Sequence, residues 1–485
     1  MRTLVTAVLK VGVGQFAALF LGAVSIKLLA ITAGPAGVGL FSLIRQIQQT
    51  FTAVASLGGQ NAVVQGMTSQ NCAIARHKFR HAAFFSMFVW CLLVALITFF
   101  YANDIAFYVL HNQQVALVRW LIVAITLGVF IVFFRALLNA QMSIREVNWV
   151  NVSSALVAAI VAFPAGIAYT EGYVNALVLV LVAPLGFGLA VSIVLSNESG
   201  ALKYFWLTLL KLPDSEALRQ FSFVAFPSLL IAVIGLGSIL LVRVVITNYH
   251  GISSAGHFDA AWSISMMYMS LFFASLQTYL LPTLSANKID SKIFTILGNA
   301  MRLSLIVLVP LITLLIVLKP LAVKVLYSGE FTEALEILRW TLFGDFIRVA
   351  AWVIALFMLA RADMLAYSFH EFIWNLVFVL MALWLVPKGI QWVGFAYVVA
   401  YTLYFLLLLY RAVSHFKVKI SPSIIKYWVS GFIIISFATV LTWSDYNIVW
   451  WKFSIVPVSI FFGWTLVTSN EKRQIKLLFK LGESN

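Results

Sequence analysis

Long apolar runs separated by short polar connections repeat along the chain from residue 11 to residue 468. Fourteen runs can be marked, opening with 11–33, 37–65, 82–101 and 115–140 and closing with 424–443 and 449–468. Each reaches or exceeds the roughly 20 residues that carry a helix across a bilayer. The surplus in several predicts tilt or extension beyond the membrane. Barrel strands would instead alternate weakly over about ten residues. The pattern therefore predicts an all-α polytopic membrane protein.

The second run, Gly34 to Gln60, breaks the apolar rule. Its Arg45, Gln49, Thr52, Ser56 and Gln60 recur at steps of four, three, four and four, so they line one helix face. Leu40, Leu43, Ile44, Ile47, Phe51 and Val54 lie mostly off that stripe. Such a helix is expected to offer its apolar side to lipid and its polar side to water, protein or a charged ligand.

Composition sharpens the class. Of 485 residues, 62% are hydrophobic and 10% charged, and the mean hydropathy is +1.00. Soluble domains carry about 25% charged residues, which excludes one large globular core. The net charge of +15 does not point to nucleic acid, because Lys and Arg concentrate in short loops. With the N-terminus cytoplasmic, 21 of the 32 cations fall on that side and six on the other, among them Lys319 and Arg339. This predicts an even number of spans and both termini in the cytoplasm. The opening MRTLVTAVLK is expected to be a retained first span. Cys72 and Cys91 fall in a cytosolic loop and a membrane run, so no disulfide is expected. Tyr204–Leu212 and the tail EKRQIKLLFKLGESN suggest amphipathic surface helices, the tail set against anionic lipid.

A weak internal repeat divides the chain. Gly37-Val38-Gly39-Leu40-Phe41 corresponds to Gly256-His257-Phe258 at an offset of 217, and Gln60 to Gln277; Val118-Arg119-Trp120 corresponds to Leu338-Arg339-Trp340 at 220. Two six-helix bundles of the same orientation follow, over 1–212 and 213–420, with two extra helices and the basic tail over 421–485. Parallel repeats of this kind place a binding site between their halves.

Five cations remain inside the runs: Lys27, Arg45, Arg135, Arg243 and Arg348. An arginine at a helix centre costs roughly 2.5–3.5 kcal/mol to insert, so each must snorkel, pair or line a hydrated cavity. Snorkelling or pairing suits Lys27, Arg243 and Arg135, which lie near helix ends; Arg45 and Arg348 lie deeper and favour a cavity. Asp345 and Arg348, three apart, can form an internal ion pair. Asp259 heads a stripe of Ser263, Ser270 and Gln277, and either binds a coupling ion or pairs with Arg45 across a cleft. Glu371, with Asn375, is a third acid to consider. A net cationic cavity selects anions, and the guanidinium fork suits phosphate. Pro164, Pro184, Pro227, Pro310 and Gly58-Gly59 can bend their helices. No P-loop, dinucleotide fingerprint, HExxH or nucleophile elbow occurs. No external loop is large enough for a polymerase or glycosyltransferase site, so no enzyme is expected. His77 and His81 belong to a basic loop, and no metal site is expected.

The stretch KLLAITAGPAGVGLFSLIRQIQQTFTAVASLGGQNAVVQ resembles the first two spans of the polysaccharide flippases of the MOP exporter superfamily. A second stretch, YSGEFTEALEILRWTLFGDFIRVAAWVIALFMLARADMLAYSFHEFIWN, resembles their spans ten and eleven. The resemblance covers roughly residues 1–420 and is nearest to translocases for O-antigen and enterobacterial common antigen. It implies a V-shaped alternating-access transporter in a bacterial inner membrane. The cargo would be an undecaprenyl-diphosphate-linked oligosaccharide, carried from the cytoplasmic to the periplasmic leaflet and coupled to H+ or Na+ without a cofactor. Partners would be membrane lipids, a polysaccharide polymerase and a chain-length regulator. Substrate contacts would come from Arg45, Arg348, Lys27, Arg243, Arg135 and Gln49, of which Arg45 and Arg348 lie in the matching stretches. Asp259, Asp345 and Glu371 would serve coupling or gating. The last two spans depart from the family's common twelve. A multidrug or small-solute antiporter of the same superfamily is the alternative, disfavoured by the basic interior.

Overall fold

A computed structural model of the chain describes residues 2–70, 72–110, 115–196, 211–286, 290–361, 363–419, 421–443 and 450–469. Its helices are α1 (Arg2–Ala55), α2 (Gly59–Ser69), α3 (Ala73–Phe100), α4 (Ala102–Tyr108), α5 (Val115–Ala140), α6 (Ile144–Thr170), α7 (Ala176–Leu195), α8 (Ser215–His250), α9 (Ile252–Ala286), α10 (Asp290–Leu326), α11 (Ala334–Ala360), α12 (Met364–Leu385), α13 (Trp392–Ser414), α14 (Pro422–Leu441) and α15 (Ile455–Leu466). The two expected surface helices fall wholly or largely outside the described residues.

Eleven described helices are long and apolar enough to cross a membrane. The first of these, Gly14–Ser69, holds two expected spans, because α1 breaks at Gly34 with φ 61° and ψ −169°. Only glycine adopts that backbone readily, and Pro35 behind it supplies no N–H. A thirteenth segment, α9, is 35 residues long, and Trp451–Leu466 is shorter. Every expected span thus has a helix beneath it.

Packing divides the chain into two compact units, Met1–Asp259 with Leu326–Phe331, and Ala260–Val325 with Thr332–Asn485. Helix α8 belongs to the first, where it packs on α1, α2 and α3. That unit is centred on Phe79, Phe84, Met87, Phe133, Phe134 and Phe221. The repeat-related glycines meet there: a Cβ on Gly39 would stand 1.9 Å from the Ile252 carbonyl, and one on Gly256 would stand 2.1 Å from that of Pro35. Backbones this close bring α1 and the start of α9 into register.

The polar second arm of α1 turns out opposite to expectation. Leu40, Leu43, Ile44 and Ile47 are buried within the protein, while Gln49 and Gln60 are exposed. Packing against α5, α6 and α8 claims the apolar face; of the stripe, Thr52 and Ser56 are buried as well, and Arg45, Gln49 and Gln60 keep exposure.

In the second unit α11 is buried along most of its length. The last two helices pack onto it and α10: Gly431 lies against Val309 and Leu305, and Gly463 against the Ile306 carbonyl. Lys319 and Arg339, expected in external loops, are instead buried. Lys319 Nζ donates to the Thr442 carbonyl at 2.5 Å, and Arg339 donates to the Trp443 carbonyl with its guanidinium 3.8 Å from the indole. Thr442 is the C-cap of α14, so both cations meet the negative end of that helix.

Candidate functional site

Within the first unit, three helices bring charge together. Arg45 comes from α1, Arg243 from α8 and Asp259 from α9. Arg45 Nη2 donates to Asp259 Oδ1 at 2.9 Å and Arg243 Nη2 to the same oxygen at 2.7 Å. Arg243 and Asp259 are enclosed, at 2% and 1% side-chain exposure, whereas Arg45 keeps 24%. Each arginine also lies over a repeat-related ring, Arg45 at 5.5 Å from Phe41 and Arg243 at 5.3 Å from Phe258. Lys27 joins indirectly: it donates to the Tyr327 carbonyl, and the Tyr327 hydroxyl reaches the Asp259 carbonyl at 3.5 Å.

Two guanidiniums sharing one carboxylate leave the triad net positive. Asp259 Oδ2 and Arg243 Nε and Nη1 are buried with no hydrogen-bond partner among the described residues. Buried polar groups rarely stay unmatched. The triad therefore carries one net positive charge, with two arginine N–H groups and one carboxylate oxygen unmatched.

Arg243 does not snorkel, because the carboxylate holds it inside. Asp259 does pair with Arg45, within one compact unit rather than across a cleft. Gln49 is exposed; the enclosed amides are Gln46, which donates to the Leu236 carbonyl at 2.9 Å, and Gln48, which donates to Thr52 at 3.0 Å. Arg135 on α5 is not brought to the triad, and its buried Nε has no hydrogen-bond partner among the described residues.

A second polar cluster occupies the second unit. Asp345 on α11 accepts three hydroxyls: Ser265 and Tyr268 at 2.6 Å, and Tyr397 at 2.7 Å. Arg348, one turn on, forms no direct ion pair with it. Its Nη1 donates to the Tyr397 hydroxyl at 3.2 Å and to the Met266 sulfur at 3.3 Å, so Tyr397 bridges the two charges. Glu371 on α12 accepts the Trp374 indole N–H and the Tyr404 hydroxyl, both at 2.6 Å. These aromatic partners went unnoticed in the sequence. The signal for two of them, Tyr397 and Tyr404, was present in α13, where they recur with Tyr401 at steps of four and three inside an apolar run.

Known proteins resemble the chain over most of its length. It is 24% identical to the lipid III flippase of Escherichia coli over 387 residues, covering 78% of this chain and 91% of that one. The lipid III flippase of Shigella flexneri matches to the same extent. The fold is similar to that of lipid II flippase MurJ in an inward closed conformation, with a TM-score of 0.70, 16% identity, and coverage of 96% and 99% of the two chains. It is also similar to an inward-facing multidrug resistance MATE family transporter of the MOP superfamily, at 0.66, 13%, 83% and 96%. The profile of the polysaccharide biosynthesis protein family matches residues 28–336, well over half the sequence, and the chain belongs to that family.

Proposed function

We propose that this multi-pass membrane protein is a flippase for a lipid-linked oligosaccharide and not an enzyme. The observation that carries the reading is the triad of Arg45, Arg243 and Asp259, which stays net positive inside a membrane protein. A diphosphate supplies the oxygens that two guanidinium forks seek, and a partly exposed Arg45 can turn from Asp259 to meet it. Lys27 would add a third positive charge nearby. Similarity to lipid III and lipid II flippases supports the same cargo class.

In this reading the cargo is an undecaprenyl-diphosphate-linked repeat unit, of O-antigen or a related glycan, moved from the cytoplasmic to the periplasmic leaflet of a bacterial inner membrane. The two compact units, Met1–Asp259 with Leu326–Phe331 and Ala260–Val325 with Thr332–Asn485, would alternate access in place of halves divided at residue 212, with both termini in the cytoplasm. Asp345 and Glu371 would carry the coupling H+ or Na+, because both acids lie among groups that can donate or accept. A polymerase and a chain-length regulator would act on the delivered glycan. A multidrug antiporter would need an acidic or apolar cation site, which the triad opposes.

Surface glycan display in a flippase-null strain tests the proposal. Arg45→Ala is expected to abolish display and Arg45→Lys to retain part of it, since lysine keeps charge but not the fork. Wild-type display from Arg45→Ala would remove the diphosphate role.

A further inference from the structure

The second unit contains a ladder of stacked planes that transport of a bare diphosphate does not require. Trp374 stacks on Tyr401, with centroids 4.7 Å apart and 28° between planes. The Arg348 guanidinium lies 5.3 Å from the Tyr401 ring and 5.1 Å from that of Phe273. Phe273 in turn stacks on Trp352 at 4.3 Å and 20°. The order is Trp374, Tyr401, Arg348, Phe273, Trp352, drawn from α12, α13, α11 and α9. Trp374 also stacks on Phe378 at 6.3 Å and 29°, so the ladder ends at Trp352; both tryptophans and Arg348 are only half-buried, as is Glu371 beside Trp374.

Hydrophobic packing alone does not account for this composition. Helices in a bilayer gain nothing by placing an arginine and two acids among their rings, and each such charge is costly to insert. The residue set also restricts the ligand. Arg348 in mid-ladder repels a cation, and Asp345 with Glu371 opposes a bare anion. A hydrocarbon chain would leave the acids and the guanidinium without new bonds. A sugar ring meets all three requirements: its C–H face lies on an aromatic plane, and its hydroxyls both donate to carboxylates and accept from a guanidinium. Arg348 uses Nη1 for Tyr397 and Met266; Glu371 accepts from Trp374 on one oxygen and from Tyr404 on the other, Tyr367 bonds to it as well, and one acceptor position is left for a hydroxyl.

We propose that the ladder binds sugar residues of the lipid-linked glycan, with Trp352 and Trp374 as stacking faces and Arg348 and Glu371 as hydrogen-bonding groups. The proposal rests on the flippase reading and extends it: the triad holds the diphosphate, and the ladder recognises what is attached.

The test is transport by the full chain in proteoliposomes, with two probes. One is undecaprenyl diphosphate bearing a single N-acetylglucosamine; the other bears a tetrasaccharide. Trp352→Ala and Trp374→Ala should each lower the ratio of tetrasaccharide to monosaccharide transport about ten-fold, the loss expected of one aromatic contact. Trp352→Phe, which keeps a stacking face, should restore most of the ratio, separating lost recognition from lost folding. A ratio unchanged in both alanine variants would overturn the proposal, as would Trp352→Phe behaving like Trp352→Ala. Arg45→Ala should reduce both probes alike. Transport of both probes undiminished in Arg45→Ala would instead sink the underlying diphosphate reading, whatever the tryptophan variants do.

Discussion

In the first unit Asp259 takes two guanidiniums on a single oxygen, whereas in the second Asp345 takes three neutral hydroxyls and, among the described residues, no direct cation. Both acids are fully enclosed. The first arrangement depends on charge, so losing one member leaves the others uncompensated in a medium of low dielectric. The second depends on rotatable donors, which can turn to accept when the acid is protonated. An ion cluster of this kind suits holding an anion in place. A hydroxyl-bound acid suits gaining and losing a proton or small cation. Under the proposed function, the two regions would divide the work between holding the anion and coupling its transport.

Neutralising the acids tests that division most severely. Asp259→Asn strands two guanidiniums, one fully buried, and should destabilise the protein by about 3–5 kcal/mol, read as a lowered unfolding midpoint in detergent. Asp345→Asn keeps one acceptor oxygen and replaces the other by an N–H donor, to which the facing hydroxyl can turn its oxygen, and should cost only about 1 kcal/mol. Equal losses from the two substitutions would erase the distinction between the clusters. Transport should invert part of the ranking. Arg45→Ala leaves Arg243 and Asp259 as a one-to-one pair, so stability should barely change while glycan display is lost.

The hydroxyl cluster has its own weak point. Tyr397→Phe removes the group that both donates to Asp345 and accepts from Arg348, and should cost about 1–3 kcal/mol, because two buried partners lose a bond. A loss no larger than that of Asp345→Asn would mean that the bridge is incidental to the network. Driven transport should fall as well, since the acid and the arginine lose their connection.

How much of this was legible beforehand depended on whether the signal was local. The spans were legible because apolar runs are local: 11–33 and 37–65 were separable although one continuous helix with a break at Gly34 carries both, and 257–286 was marked beneath α9. Arg45 and Asp259 stood out as charges in apolar runs, and their pairing was one of two readings the sequence left open. For Arg243 the sequence left snorkelling and pairing open, and the pairing holds; its partner was not legible, because position near a helix end says nothing about the carboxylate that α9 brings to it. Lys319 and Arg339 were counted as loop charges for the same reason: position along the chain does not reveal that the end of α14 will cover them. The tyrosines of α13 were missed because an aromatic in an apolar run counts as apolar until its hydroxyl is seen to meet an acid.

The caps on α14 extend the comparison to cations that meet backbone carbonyls. Arg339→Ala loses a helix-end contact and a cation–ring contact, and should cost about 1–2 kcal/mol. Lys319→Met loses the contact with the Thr442 carbonyl and should cost less. Losses as large as that of Asp259→Asn would show that cations at this helix end are held as firmly as those of the triad, and the triad would lose its special standing.

The smallest effect belongs to Lys78 and Asp214, an exposed pair 2.9 Å apart at the start of α8, where Asp214 Oδ1 also accepts the Ala217 N–H at 3.2 Å. The bond from Lys78, then that from Ala217, holds the Asp214 carboxyl below the usual carboxylate range. A depressed native value stabilises above the unfolded value and is lost as pH falls through the native one. Stability should therefore be flat in this pair from pH 7 to about pH 5 and decline only below about pH 4. Lys78→Met should leave the unfolding midpoint at pH 7 almost unchanged and shift only the acid limb, because solvent screens an exposed pair. Asp214→Asn, which keeps an acceptor for Ala217, should flatten the same limb. If Lys78→Met lowered the neutral-pH midpoint as far as Asp259→Asn does, contact distance and not enclosure would set the strength of an ion pair in this protein, and the contrast between the two units would have to be drawn on other grounds.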